Sequence, residues 1–157
     1  MREEDVEIVG LQETIRQDFS IPKLQGLSRH KFVWHWLPAN GHSGGILLGV
    51  KDDTFEVDDM DRGEFFVSMS LTHRRSNLKW EVIIVYGPAD HRRSPEFLVE
   101  LRSKVERCTI PVVVAGDFKS STLFAHLIIK ARQTWTSLGC SCLMTALRIS
   151  LLERSRG

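Results

Sequence analysis

The chain has 157 residues, enough for one domain with a real core, and its 42% apolar and 26% charged content is that of a soluble globular protein. No apolar run is long enough for a membrane span, and the acidic opening MREEDVEIVG lacks the apolar stretch of a secretory signal. Net charge is +1, but residues 1–69 hold 7 Lys/Arg against 13 Asp/Glu (−6) and residues 70–157 hold 14 against 7 (+7). A basic half of this kind either faces phosphates or is an unevenly charged, solvated surface. The three cysteines are an odd number, with Cys140 and Cys142 in a C-S-C run. No second Cys or His pair stands at ligand spacing, so reduced intracellular thiols are expected in preference to zinc.

In chain order, Val6–Leu11 reads as a buried strand that delivers Gln12 and Glu13 at its end. A helical turn is expected over 14–19, limited by Pro22. Strands follow at 31–37 (KFVWHWL) and 44–50 (GGILLGV), then at 55–60 and 65–72 around a charged turn. HRRSNLK is a hairpin connection into Trp80–Tyr86, which stops at Gly87-Pro88. Ser94-Pro-Glu opens a helix, with Ser at the N-cap, Pro first and Glu in the first turn. Phe97, Leu98, Leu101 and Val105 recur at helical spacing, and Pro111–Gly116 is the next strand. Beyond Lys119 the pattern changes. Residues 121–135 are compatible with a helix, and 138–152 are apolar without clear periodicity. Many strands and few helices predict a layered α/β or α+β domain without regular βαβ repeats.

Three strand ends carry candidate chemistry: Gln12-Glu13, Tyr86-Gly87-Pro88 and Gly116-Asp117. If their strands share a sheet and point the same way, Glu13, Tyr86 and Asp117 gather at one edge. Two carboxylates there suit Mg²⁺, and a tyrosine hydroxyl can donate to a phosphate. Each residue alone also has an ordinary structural use: Glu as a surface or capping group, Tyr as a packing aromatic, Asp as a turn former.

The order LQET (11–14), SGG (43–45), YGP (86–88), FLVEL (97–101) and AGDF (115–118) resembles the endonuclease/exonuclease/phosphatase superfamily. It looks most like the endonuclease domain of plant non-LTR (LINE-type) retrotransposons, over Asp5–Phe118. The resemblance implies a partial four-layer α-β-β-α sandwich with mostly antiparallel sheets at residues 1–119, followed by a divergent helical or poorly ordered tail at 120–157. It implies phosphodiester cleavage dependent on Mg²⁺ or Mn²⁺, DNA as partner, nuclear location, and neither a membrane nor an obligate protein partner. Glu13 would hold the metal, Tyr86 would bond the scissile phosphate or a neighbouring group, and Asp117 would orient or deprotonate water. Lys119, Arg92 and Arg93 are further candidates for substrate contact.

Three departures from the family pattern lower the expected activity. No Asn-bearing strand precedes Val6, and no Asp follows Asp117. His126 lies among Leu and Ile, more a helix residue than a base. GDFN has become Gly116-Asp-Phe-Lys119, replacing an amide with a cation that only donates. The first and last strands of the sandwich are accordingly expected to be missing. An inactive relic that binds nucleic acid, and a small-molecule or lipid phosphatase, are the alternatives.

Overall fold

The computed structural model describes residues 6–41, 44–117 and 149–152, the last four as backbone only. Two four-stranded sheets lie face to face. One has the order β2 (Phe32–Leu37), β3 (Ile46–Lys51), β1 (Ile8–Gln12), β8 (Ile149–Leu152). The other runs β4 (Phe55–Arg62), β5 (Phe66–His73), β6 (Lys79–Tyr86), β7 (Val112–Asp117). Neighbours are antiparallel except β1/β8 and β6/β7, so the expected mostly antiparallel sandwich is present.

Alternation along the strands makes the inter-sheet core. Ile46, Leu48 and Val50 project from β3, and Val67, Met69 and Leu71 from β5; Trp80, Val82 and Ile84 project from β6. Period-2 side chains reach only one face, so these meet Ile8 and Phe55 in a single apolar layer. The opposite face of the second sheet is covered by α2 (Ser94–Arg107), which buries Phe97, Leu101 and Val105 on Phe66, Ile83 and Val85. Because β6 and β7 are parallel, the chain must cross between them, and α2 makes that crossing.

Local signals for the helical elements act at shifted places. The helical turn forms at α1 (Ile21–Gln25), not 14–19, because Pro22 sits in its first turn, where a missing N–H costs nothing. Ser94 is the first helical residue of α2 and makes no cap. Asp90 caps instead, accepting from the Arg92 N–H ahead of the short 3-10 turn at His91–Arg93. In the tail, residues 149–152 form strand β8, which the sequence pattern does not show. The helix expected at 121–135 and His126 lie outside the described residues. Among the described residues no helix is long and apolar enough to cross a membrane.

Candidate active site

The site forms where β1 meets β6 and β7 at one end of the sandwich. β1 ends abruptly because Glu13 takes a left-handed backbone (φ 51°), as does Ile15 (φ 52°). Non-glycine residues hold that conformation only where surroundings enforce it, at a cost of roughly 1–3 kcal/mol. Here the Thr14 and Ile15 N–H groups donate to the carbonyls of Gly45 and Gly44. The turn directs the Glu13 side chain across the sandwich, where the Tyr86 hydroxyl donates to its Oε1 at 2.5 Å. One residue earlier, Gln12 Nε2 donates to the Val85 carbonyl at 2.6 Å.

Asp117 stands beside Tyr86 by register, since the parallel β6/β7 ladder pairs those two residues and the Gly87 N–H donates to the Asp117 carbonyl. Gly116 permits the junction: its φ is 136°, and a Cβ there would collide with the Val85 carbonyl and Gln12 Nε2. The three predicted residues therefore come to one end of the fold, but not from one sheet. Glu13 follows β1 of the first sheet and Tyr86 and Asp117 end strands of the second, so the meeting is across the sandwich and not along a sheet edge.

A cleft of about 310 Å³ opens next to Tyr86, walled by Pro38, Asn40, Gly44, Gly45, Phe65, Pro88 and Arg93 among others. Arg93, at its rim, hydrogen-bonds Glu64 and Glu96, which hold its pKa above the ordinary value. Arg92 pairs with Asp90, and those hydrogen bonds keep the Asp90 carboxyl below its ordinary range. Both guanidiniums proposed for substrate contact are thus engaged by carboxylates, Arg92 by Asp90 of its own segment and Arg93 by Glu96 and by Glu64 of the β4–β5 turn. Lys119 and Ser43 lie outside the described residues. Gln12, part of the candidate strand end Gln12-Glu13, has a role the sequence does not assign, which is to tie β1 to the Val85 carbonyl of β6.

The donors assembled here are oxygens, and the Thr14 hydroxyl beside Glu13 is buried without a hydrogen-bond partner among the described residues. That chemistry fits a hard divalent ion. Among the described residues no three His, Cys, Asp or Glu side chains cluster as ligands. One carboxylate nevertheless suits Mg²⁺, which keeps several waters and takes substrate oxygens as further ligands.

Residues 1–118 match the endonuclease/exonuclease/phosphatase family, and the chain belongs to it. No curated protein matches the sequence. The fold is similar to a family protein from Bacteroides thetaiotaomicron, with 10% identity, 80% of this chain and 55% of that one covered, and TM-score 0.59. It is similar also to the catalytic domain of Xenopus laevis APE2, at 16% identity, 74% and 51% coverage and TM-score 0.54. The human Nocturnin catalytic domain, which holds a bound sulfate anion, matches at 17% identity, 76% and 55% coverage and TM-score 0.53. At such identities the likeness is one of fold. The chain spans about half the length of these solved proteins.

Proposed function

We propose that the chain carries a Mg²⁺-dependent phosphodiesterase site acting on DNA, with turnover lowered by Lys119. Its origin is the endonuclease domain of a plant non-LTR retrotransposon, an ancestry supported by the order of the five motifs between residues 11 and 118. The supporting observation is the Tyr86–Glu13 hydrogen bond at the junction of the sheets, with Asp117 registered beside it.

When bound, Mg²⁺, or Mn²⁺ in its place, supplies polarisation of a phosphoryl oxygen and stabilises the leaving oxygen. Glu13 holds the ion, and the Tyr86 hydroxyl fixes the orientation of that carboxylate. A phosphate brought to the same point accepts a hydrogen bond from Tyr86. Asp117 orients the attacking water and takes its proton. Lys119, two residues on, pairs with phosphate but competes electrostatically with the ion. DNA binding draws on the excess of Lys and Arg in residues 70–157 and weakens with salt. A nuclear site of action follows from that substrate.

The test is nicking of supercoiled plasmid. The wild type nicks slowly in Mg²⁺ and stops on chelation, while Asp117→Ala and Glu13→Ala lower the rate by ~10²–10⁴-fold. Lys119→Asn raises it. Equal nicking by wild type and both alanine variants marks a contaminant and refutes the reading; salt-sensitive binding without turnover, even in Lys119→Asn, supports the relic instead.

A further inference from the structure

The FLVEL segment has a use that the proposed chemistry leaves unassigned. Glu100, in its fourth position, grips the turn between β4 and β5. Its Oε1 accepts the backbone N–H of Glu64 at 2.6 Å, and its Oε2 accepts that of Phe65 at 3.0 Å. Gly63 makes this approach possible, because a Cβ at that position would collide with the Glu100 carboxylate.

Two further residues of the helical segment close on the same turn. Phe97 meets the Phe65 ring edge-on at 5.6 Å and 82°, and the Arg93 guanidinium lies over that ring at 5.1 Å. Positions 93, 97 and 100 share one face of the helical path, so all three address Phe65 together. Phe65 in turn touches the site. Its carbonyl accepts the Tyr86 N–H at 3.0 Å, and the Tyr86 hydroxyl donates to Glu13.

We infer that Glu100 is a positioning residue for the Tyr86–Glu13 hydrogen bond, acting through the Glu64–Phe65 turn and one wall of the cleft. The inference rests on the reading of Tyr86 and Glu13 as the site. The physical reason is geometric. A carboxylate taking two N–H groups makes strong, charge-assisted bonds that fix the turn against the helix. Glu64 is exposed, so without Glu100 its N–H turns to water and the turn gains freedom. Phe65 moves with the turn, and Tyr86 is tied to Phe65 by its backbone. Misplacing a functional group by an ångström can cost about 10²-fold in rate.

Tyr86 is the single tyrosine of the chain, so it can be followed without activity. A carbon-13 label at the phenol Cζ gives one resonance, whose position reports the hydrogen bond made by the hydroxyl. Glu13→Ala in the full chain sets the position for a broken bond. Glu100→Ala should move the resonance most of the way there while circular dichroism and a cooperative melt show the fold intact. Glu100→Gln, which keeps an acceptor but loses the charge, should fall between. Arg102→Ala removes only the exposed Arg102–Glu106 pair of the same helix and should leave the resonance in place.

A folded Glu100→Ala protein with the wild-type resonance overturns the inference. So does an Arg102→Ala shift as large as that of Glu100→Ala, which would show general loosening of the helix. If Glu100→Ala does not fold, Glu100→Gln decides by the same criterion. A Glu13→Ala protein that leaves Tyr86 unmoved refutes the site pair itself. Absence of nicking with these shifts intact would refute the proposed activity and leave the positioning role standing.

Discussion

The two faces of the β4–β7 sheet are built on different principles. The inner face is apolar at its centre: Val67, Met69, Leu71, Trp80, Val82 and Ile84 are all at most 1% exposed. The outer face mixes Phe66, Ile83 and Val85 with buried Glu81 and Ser68, and meets the buried Lys104 of α2. Lys104 Nζ lies 2.7 Å from Glu81 and 2.9 Å from Asp61, so one helix residue ties two strands to α2. Apolar contact is non-directional and tolerates sliding, whereas charged pairs fix a position. The outer face thereby sets where α2 sits, and α2 carries the Glu100 and Phe97 contacts that hold the turn beside Tyr86. Cys108 at the helix end belongs to this network, donating to Glu81 at 2.9 Å. Burial, together with the Glu81 carboxylate, pushes its thiol up to about 12, which keeps it protonated and unreactive near neutral pH.

The two largest expected effects set one face against the other. Trp80→Ala empties the inner layer beside Phe55 and should cost roughly 3–5 kcal/mol, read as a lower denaturant midpoint. Lys104→Met leaves the Glu81 charge buried without its cation and should cost a similar 3–5 kcal/mol or so. Rescue separates them: adding Glu81→Leu to Lys104→Met should recover most of that loss, because the uncompensated charge is gone. If the double variant is no better than the single, the outer face is not limited by charge burial and the contrast fails.

A smaller effect appears at alkaline pH. Burial alone would lower the Lys104 pKa, but hydrogen bonds to Glu81 and Asp61 outweigh it and raise the pKa above 10.5. The stability this contributes is complete below the unfolded value of about 10.5 and is lost as pH rises through the folded pKa. Denaturant midpoints should therefore fall at high pH in the wild type and fall less in Lys104→Met. The smallest effect lies on the inner side, at His35. Burial pulls its imidazole below 6.5, and its Nε2 has no hydrogen-bond partner among the described residues. The folded state then resists protonation, so stability falls as pH drops below 6.5 and levels off beneath the folded pKa. His35→Leu should flatten that slope; an unchanged slope would assign it to the carboxylates.

The same contrast explains what the sequence reveals. The inner face is legible in β5, where FVSMSLTH sets Val67, Met69 and Leu71 against Ser68 and Ser70, but not in β6, where Val82–Val85 is buried on both faces and carries no alternation. The strand ends bearing Glu13, Tyr86 and Asp117 are legible as motif positions. Their meeting across two sheets is not, since strand order carries no local signature. The roles of Gln12 and Glu100 are hidden for a related reason. Each acts on a backbone group far along the chain, Val85 for Gln12 and Glu64 and Phe65 for Glu100, and no periodicity records such a partner. Asp90 and Ser94 are both cap-formers, four residues apart, and only the surrounding turn decides that Asp90 caps the 3-10 turn while Ser94 enters α2.

Under the proposed function, the Glu13–Tyr86 junction holds a divalent ion. Mn²⁺ is paramagnetic, so titrating it into protein labelled at the single tyrosine measures that directly. The Tyr86 resonance should broaden in the wild type at metal concentrations that leave Glu13→Ala sharp, and excess Mg²⁺ should reverse the broadening. Equal broadening in both proteins, or none in either, would contradict the account.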